Sequence, residues 1–443
     1  MNVTEPTFFR HKARMALLLI SIAVVTTIPH VKSWNDASRM ATVQSLVEHH
    51  TFVIDQSVFA NTGDKVFIKG HFYSDKPVAP AVLGALVYWP LFQLHFSLDY
   101  GWNFAYFVIT FIIIKGFWLA GLLAFYGALS QASLDVDKRI WLTAALGIAS
   151  LYFTWASTFN NHILAAAQLM IGFYFFLQAK QGLSLKRNLF LAGLFFSLAG
   201  TMDIPTGVFY VAFLGYLFMQ ASLRRIVFFY LLPVTVTVLP SLMLNFFVAG
   251  SIIPLQLNKD YFDYPGSPWI GSSSLSGMSV NDLDFSLHYG FAALFGTKGF
   301  MLYNPFLFIA LPYLGAEILH KRAFSQEAIL IGGTSAIMVL YYFLFTNNFA
   351  GDSYSIRWFV PLLPLLFFFM HPFFVDFSKT KRRLFFTIFI FSAVIASIGV
   401  ISAWSRAALS DTPVLSNLIE LRQSLDRFPV SPSPRSRAPA FGS

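Results

Sequence analysis

Long apolar runs recur along the chain between short polar joints. Each run comes close to the roughly 20 residues that cross about 30 Å of hydrocarbon as a helix. About eleven spans are predicted from this pattern: Met15–Val31, Asn103–Leu129, Ile140–Thr158, Ile163–Ala179, Leu189–Met202, Val208–Ala221, Ile226–Val248, Tyr303–Leu319, Ala328–Phe345, Phe359–Val375 and Leu384–Trp404. A membrane β-barrel would instead show short segments alternating apolar with polar residues. The predicted fold class is therefore all-α integral membrane. The apolar stretch Val82–Phe96 is only about 15 residues long, which suits an interfacial or re-entrant helix better than a crossing.

Composition agrees. Hydrophobic residues make up 56% of the 443 positions and charged residues 12%, so a water-soluble core could not hide the apolar surface. The formal net charge of +9 could suggest nucleic acid, but Lys and Arg gather in the cytoplasmic loops of membrane proteins as topology signals, and no nucleic-acid partner is expected. With no cysteine, disulfides, thiolate nucleophiles and cysteine metal sites are excluded.

Charge also sets the predicted topology. If Val82–Phe96 does not cross, the joints at Lys138-Arg139, Lys180 with Lys186-Arg187, Arg224-Arg225, Lys321-Arg322 and Lys379 with Lys381-Arg382-Arg383 all fall on the side of the basic N-terminal stretch. The positive-inside rule makes that side cytoplasmic. Met15–Val31 lacks a small-x-small cleavage site and is expected to remain as the first span. The spanning domain then covers 1–404, with long outer loops at 32–102 and 249–302. An outer tail follows at 405–443, its Pro/Ser/Arg-rich end, Val430–Ser443, reading as disordered.

Most of the polar motifs lie on the outer side. Trp34 to Glu48 has apolar residues near helical spacing at Met40, Val43, Leu46 and Val47, and predicts an amphipathic helix along the membrane surface. Asp36 at its start suits either a helix cap or chemistry. His71-Phe72-Tyr73-Ser74-Asp75-Lys76-Pro77 places a cation beside a carboxylate at the surface, which suits a phosphate or a salt-bridged turn.

The series Asn35-Asp36-Ala37-Ser38-Arg39, then Phe72-Tyr73-Ser74-Asp75-Lys76-Pro77, resembles the first outer loop of the GT-C glycosyltransferases that use polyprenyl-phosphate sugars. That superfamily includes protein O-mannosyltransferases and the aminoarabinose transferase of lipid A. Tyr354-Ser355-Ile356-Arg357-Trp358 and Phe295-Gly296-Thr297-Lys298-Gly299-Phe300 are similar to later segments common in such proteins. The chain departs from the usual pattern at Val78, where many relatives have a second proline, and at Ile356, where Gly or Pro is usual.

The resemblance implies a GT-C-type fold with juxtamembrane helices in the first outer loop. It also implies transfer of a sugar, with inversion, from a polyprenyl-phosphate donor to a glycan, lipid or protein acceptor at the outer face of a bacterial-type inner membrane. Asp36 is the implied base, Lys76 and Arg357 the phosphate clamps, and Asp75 and Tyr73 their supports. Asn161, His162, Asp203, Lys298, Tyr261 and Trp269 are further substrate-binding candidates, with Leu255–Leu283 as an acceptor lid. Asn161, His162 and Asp203 also suit caps and interfacial hydrogen bonds. No cofactor and no metal site is expected. A transporter or lipid flippase, the rival class, would show internal repeats and broken helices meeting at midplane.

Overall fold

The computed structural model describes residues 21–220, 224, 226–270, 280–407 and 411–426. The start of the first expected span, 15–20, and the expected disordered end at Val430–Ser443 lie outside the described residues. Among the described residues the chain is mainly helical, with one small hairpin.

The segment expected as the first outer loop carries α1 (Trp34–Glu48), an antiparallel pair β1 (Lys65–Ile68) and β2 (His71–Ser74), and α2 (Val78–Gln93). Ser33 caps α1, accepting from the Asn35 and Asp36 amides, while the Asp36 side chain reaches back to the cap amide in a capping box. α1 is not the surface-lying amphipathic helix predicted: twelve of its fifteen residues are buried. Its small polar side chains turn inward to hydrogen-bond protein, as Ser38 does with the Asp64 carbonyl at 2.5 Å and with Ser74 Oγ at 2.6 Å. α2 packs along α1.

The bundle follows as α3 (Phe104–Gln131), α4 (Val136–Ile148), α5 (Leu151–Trp155), α6 (Asn161–Lys180), α7 (Leu185–Met202), α8 (Gly207–Met219) and α9 (Phe228–Ala249). It continues as α10 (Leu283–Phe295), α11 (Phe300–Tyr303), α12 (Leu307–Leu319), α13 (Ser325–Phe345), α14 (Leu363–Phe368), α15 (Lys379–Ile401) and α16 (Pro413–Asp426). Among the described residues, α3, α6, α9, α13 and α15 are each long and apolar enough to cross a membrane. The pair Leu283–Tyr303 and Leu307–Leu319, bent by 94°, makes a sixth if counted as one span. The eleven expected spans therefore resolve into these and several shorter helices.

Three departures have physical causes. Ile140–Thr158 is broken into α4 and α5, because Ser150 caps a new helix by accepting from the Tyr152 amide. Phe359–Val375 is not one span but a 3₁₀ turn (Arg357–Leu362), α14 and a second 3₁₀ turn (His371–Phe374). Pro361, Pro364 and Pro372 each remove an amide donor and clash with a preceding carbonyl, and this segment is buried at the core rather than facing lipid. Tyr303–Leu319 breaks at Asn304-Pro305.

Asn304 holds that corner. Its Oδ1 accepts from the Leu151 amide at 2.9 Å and its Nδ2 donates to the Phe300 carbonyl at 2.8 Å, so one buried side chain ties α11 to the start of α5. Gly299 makes the preceding turn possible, since a Cβ there would stand 2.7 Å from the Leu294 carbonyl oxygen. α6 is the central helix, touching α3, α7, α14 and the Arg357 turn. α16, the described part of the tail, packs on α15 through Asn417, which donates to the Ile398 and Ser402 carbonyls at 3.0 and 2.9 Å. Lys32 pairs with Glu420 at 3.1 Å, which places α16 at the same end of the bundle as the first outer loop.

Asn304→Ala leaves the buried Leu151 amide without its acceptor, a loss of roughly 1–3 kcal/mol. A lowered thermal midpoint in detergent checks this, and an unchanged midpoint contradicts it.

Candidate functional site

Four chain segments meet at the end of the bundle that holds the first outer loop. α1 contributes Arg39, the β2–α2 corner Lys76, the start of α6 Asn161 and His162, and the turn before α14 Arg357. Arg39 is almost fully buried. One guanidinium nitrogen donates to the Asn35 carbonyl at 2.8 Å and also meets the Asn35 side chain, and another donates to Asn161 Oδ1 at 2.6 Å. Burial and the neighbouring Arg357 hold its pKa down to about 10. Arg357 lies over the Trp404 ring at 4.8 Å, a contact worth about 2 kcal/mol when shielded from water. The Nε atoms of both arginines are buried without partners, and neither guanidinium forms a salt bridge with a carboxylate among the described residues.

Lys76 is differently placed. Its ammonium pairs with Asp64 at 2.8 Å and Asp75 at 2.9 Å. Burial pushes the Asp75 carboxyl above the ordinary range and Lys76 pulls it back. Asp64, which sequence reasoning passed over, is the shared neighbour of this group, since its charge also acts on Arg357 and Arg39.

Asp36 is held in the capping box. Oδ1 accepts from the Ser33 amide at 2.7 Å and the Ser33 hydroxyl at 2.8 Å, and Oδ2 from the Lys32 amide at 2.9 Å and the Tyr106 hydroxyl at 3.1 Å. Burial pushes its carboxyl up, opposed by these same four donors. Asp36 reaches the arginines through a polar chain. The Tyr106 hydroxyl meets Thr158 Oγ1 at 3.2 Å, and Trp404 Nε1, beneath Arg357, donates to that same oxygen at 3.2 Å.

His162 and Asp203 form a buried pair, with Nδ1 and Oδ2 2.7 Å apart. The cap of α6 is Asn160, which accepts from the Ile163 amide at 3.1 Å, and the Asp203 side chain makes no capping bond to the turn that follows it. Lys298 donates to the Gly351 carbonyl at 3.1 Å and lies within electrostatic reach of Arg357.

The aromatic candidates in the second outer loop have structural partners. Trp269 Nε1 donates to the Gly63 carbonyl at 2.8 Å and its ring meets Trp34 edge-on at 6.5 Å. Gly63 is required there, because a Cβ would fall 2.5 Å from the Trp34 ring. Tyr261 packs with Phe262 and Leu255 against Val66 of the hairpin. The middle of the expected lid, 271–279, lies outside the described residues.

Below Arg39, Tyr73 and Lys76 opens a cavity of about 370 Å³ lined by α2, α7, α8 and α9, with Ala81, Val234, Val238, Leu242 and Val248 among its walls. It is an apolar groove closed at one end by cations.

No family model and no curated protein matches the sequence. Solved structures do match. ArnT from Cupriavidus metallidurans bound to undecaprenyl phosphate superposes with a TM-score of 0.55 at 11% identity, over 94% of this chain and 76% of that one. The apo state of ArnT gives 0.52 at 11% identity over 85% of this chain, which spans 62% of its length. The Archaeoglobus fulgidus oligosaccharyltransferase in the apo form gives 0.50 at 12% identity over 91% of this chain and 55% of that one. The chain shares the fold of these structures.

Within this fold, the structure gathers Lys76, Asp75, Arg357, Asn161, His162, Asp203 and Lys298 around one polar cluster, sets Tyr73 in the groove wall, and leaves Tyr261 and Trp269 packed on the hairpin. Arg39, Tyr106, Asp64 and Trp404 were missed as site residues. For Arg39 a signal existed, its position three residues after Asp36 on a helix, although that spacing also suits a cap.

Lys76→Met leaves the buried Asp64 and Asp75 without their cation, and stability falls by roughly 3 kcal/mol. Burial raises the Asp75 carboxyl and Lys76 lowers it, so without Lys76 Asp75 titrates further above its unfolded value, and the stability this removes returns as pH falls and is fully missing once pH exceeds its folded pKa. Denaturation of the variant at pH 4.5 and pH 8 reads this, and an equal deficit at both values contradicts it.

Proposed function

We propose that the protein is a glycosyltransferase that takes a sugar from a polyprenyl-phosphate donor and passes it to an acceptor hydroxyl of a lipid, glycan or protein. The observation that carries this reading is the buried Arg39, which lines the head of an apolar groove with Lys76 and has the half-buried Arg357 as an electrostatic neighbour, neither guanidinium paired with a carboxylate among the described residues. Two like charges so placed favour an anion between them. The groove suits an isoprenoid tail and the arginines, with Lys76, its phosphate. The ArnT structure holding undecaprenyl phosphate supports the same assignment by fold.

In this reading the acceptor oxygen attacks the anomeric carbon from the face opposite the phosphate. The bond from that carbon to the phosphate oxygen breaks, its electron pair leaves on the phosphate, and the sugar inverts. Arg39 and Arg357 stabilise the charge that grows on the departing phosphate. Asp36, the base implied by the resemblance, would take the acceptor proton only after releasing one of its four donors.

The predicted topology puts this end of the bundle outside the cell and the α6–α7 joint inside. Cysteines at the exposed His71 and Asp352 of this cysteine-free chain should react with an impermeant maleimide on intact cells, while one at Thr380 stays protected. The reverse pattern overturns the orientation.

Undecaprenyl phosphate should bind the purified protein, and Arg39→Gln and Arg357→Gln should each weaken that binding at least tenfold, about 1.4 kcal/mol. Unchanged affinity in both variants, measured by native mass spectrometry, removes the arginines from the phosphate site.

A further inference from the structure

We propose that His162, oriented by Asp203, is the base that removes the acceptor proton. The proposal rests on the glycosyltransferase reading above and assigns within it a role that Asp36 is poorly placed to fill.

A base needs a free lone pair that faces the reacting groups. Each Asp36 oxygen already accepts two hydrogen bonds and the side chain is wholly buried. His162 has the opposite arrangement. Its Nδ1 is engaged by Asp203 at 2.7 Å, which with an ionised Asp203 fixes the proton on Nδ1 and leaves the Nε2 lone pair open. Nε2 has no partner among the described residues and is not among the buried atoms lacking one, and the side chain keeps about 5% of its surface accessible.

His162 stands beside the head of the groove, one residue behind its lining. Asn161, the preceding residue, holds Arg39. Thr201 and Ile204, flanking Asp203, line the cavity. Trp155 meets the imidazole edge-on at 6.3 Å and meets Trp404, the ring under Arg357, at 4.9 Å. The charged groups acting on His162 are Asp203, Arg357 and Arg39. The carboxylate stabilises the imidazolium that forms. The two arginines oppose it until their charge is offset by the donor phosphate, so the base gains strength when donor is bound.

The step balances without a co-reactant. The acceptor O–H proton passes to Nε2, the oxygen bonds to the anomeric carbon, and the carbon–oxygen bond to phosphate breaks with its electrons on the leaving phosphate. The imidazolium then returns the proton to water. Asp203 is a positioning residue in this scheme.

The test uses full-length protein reconstituted with host membrane lipids, undecaprenyl-phosphate [14C]glucose and [14C]mannose as donors, and label recovered in lipid, glycan and protein fractions. His162→Gln and His162→Ala should lower kcat roughly 100-fold or more with undecaprenyl phosphate affinity within twofold of wild type, and imidazole should partly restore His162→Ala. Asp203→Asn should lower kcat and move the acidic limb of the pH profile to lower pH, because the imidazolium loses its carboxylate. His162→Gln at the wild-type rate, or a loss of donor affinity in step with the rate, overturns the proposal. Nitrogen NMR of 15N-histidine-labelled wild-type protein gives an answer that does not depend on the variants folding: Nδ1 protonated and Nε2 bare is expected, and a proton on Nε2 throughout the active pH range is contrary to it. A wild-type protein that transfers no sugar overturns the glycosyltransferase reading itself, whereas transfer untouched by His162 substitution overturns the base alone.

Discussion

A buried guanidinium, Arg39, beside a half-buried one, Arg357, with no carboxylate paired to either among the described residues, is costly to enclose. The architecture at this end of the bundle meets that cost. Arg39 is carried by a helix expected along the membrane surface and instead buried, which brings its side chain within electrostatic reach of Arg357. Asn35 and Asn161 take its N–H groups, and the Trp404 ring lies beneath Arg357. Asp64, Asp75 and Asp203 supply charge at longer range. The arrangement leaves positive potential where a groove ends, which is the condition for drawing in an anion attached to an apolar chain.

Burying α1 requires several local devices acting together. The capping box ends the helix without unsatisfied amides, Ser38 consumes two polar partners, and the Trp34–Gly63–Trp269 contact clamps the second outer loop over the first. Lys32 continues the same construction outward, giving its amide to Asp36 and its ammonium to Glu420 of α16. The tail helix thus closes on the element that presents Arg39, and the polar end behaves as one hydrogen-bonded body.

The other end of the bundle uses charge for a different purpose. Lys180 pairs with the buried Glu327 at 2.5 Å, and Glu317 accepts from the Phe324 amide beside His371. These contacts join α6, α12, α13 and the broken segment at 357–374. Polar groups there fasten helices. At the end that holds Arg39 and Lys76 they surround space.

Residue type and position made much of this visible in advance. A Lys beside an Asp before a proline, an Arg opening a late apolar run, and an Asn-His pair at a span end all stand out against long hydrocarbon-like stretches, because ionisable groups are expensive there and survive where they are used. The helical class and the existence of a membrane domain follow from run lengths alone. Contacts between distant segments decided the rest. Ser38, Thr42 and Ser45 can face water or protein with equal local preference, so the burial of α1 depended on what α2 and the hairpin place over it. Asp64 is an unremarkable loop carboxylate until Lys76 folds back to it. Whether Asp36 is a free base or a committed cap, and whether His162 is a ligand or half of a dyad, depends on which donors lie within about 3 Å, and linear sequence carries no record of that distance.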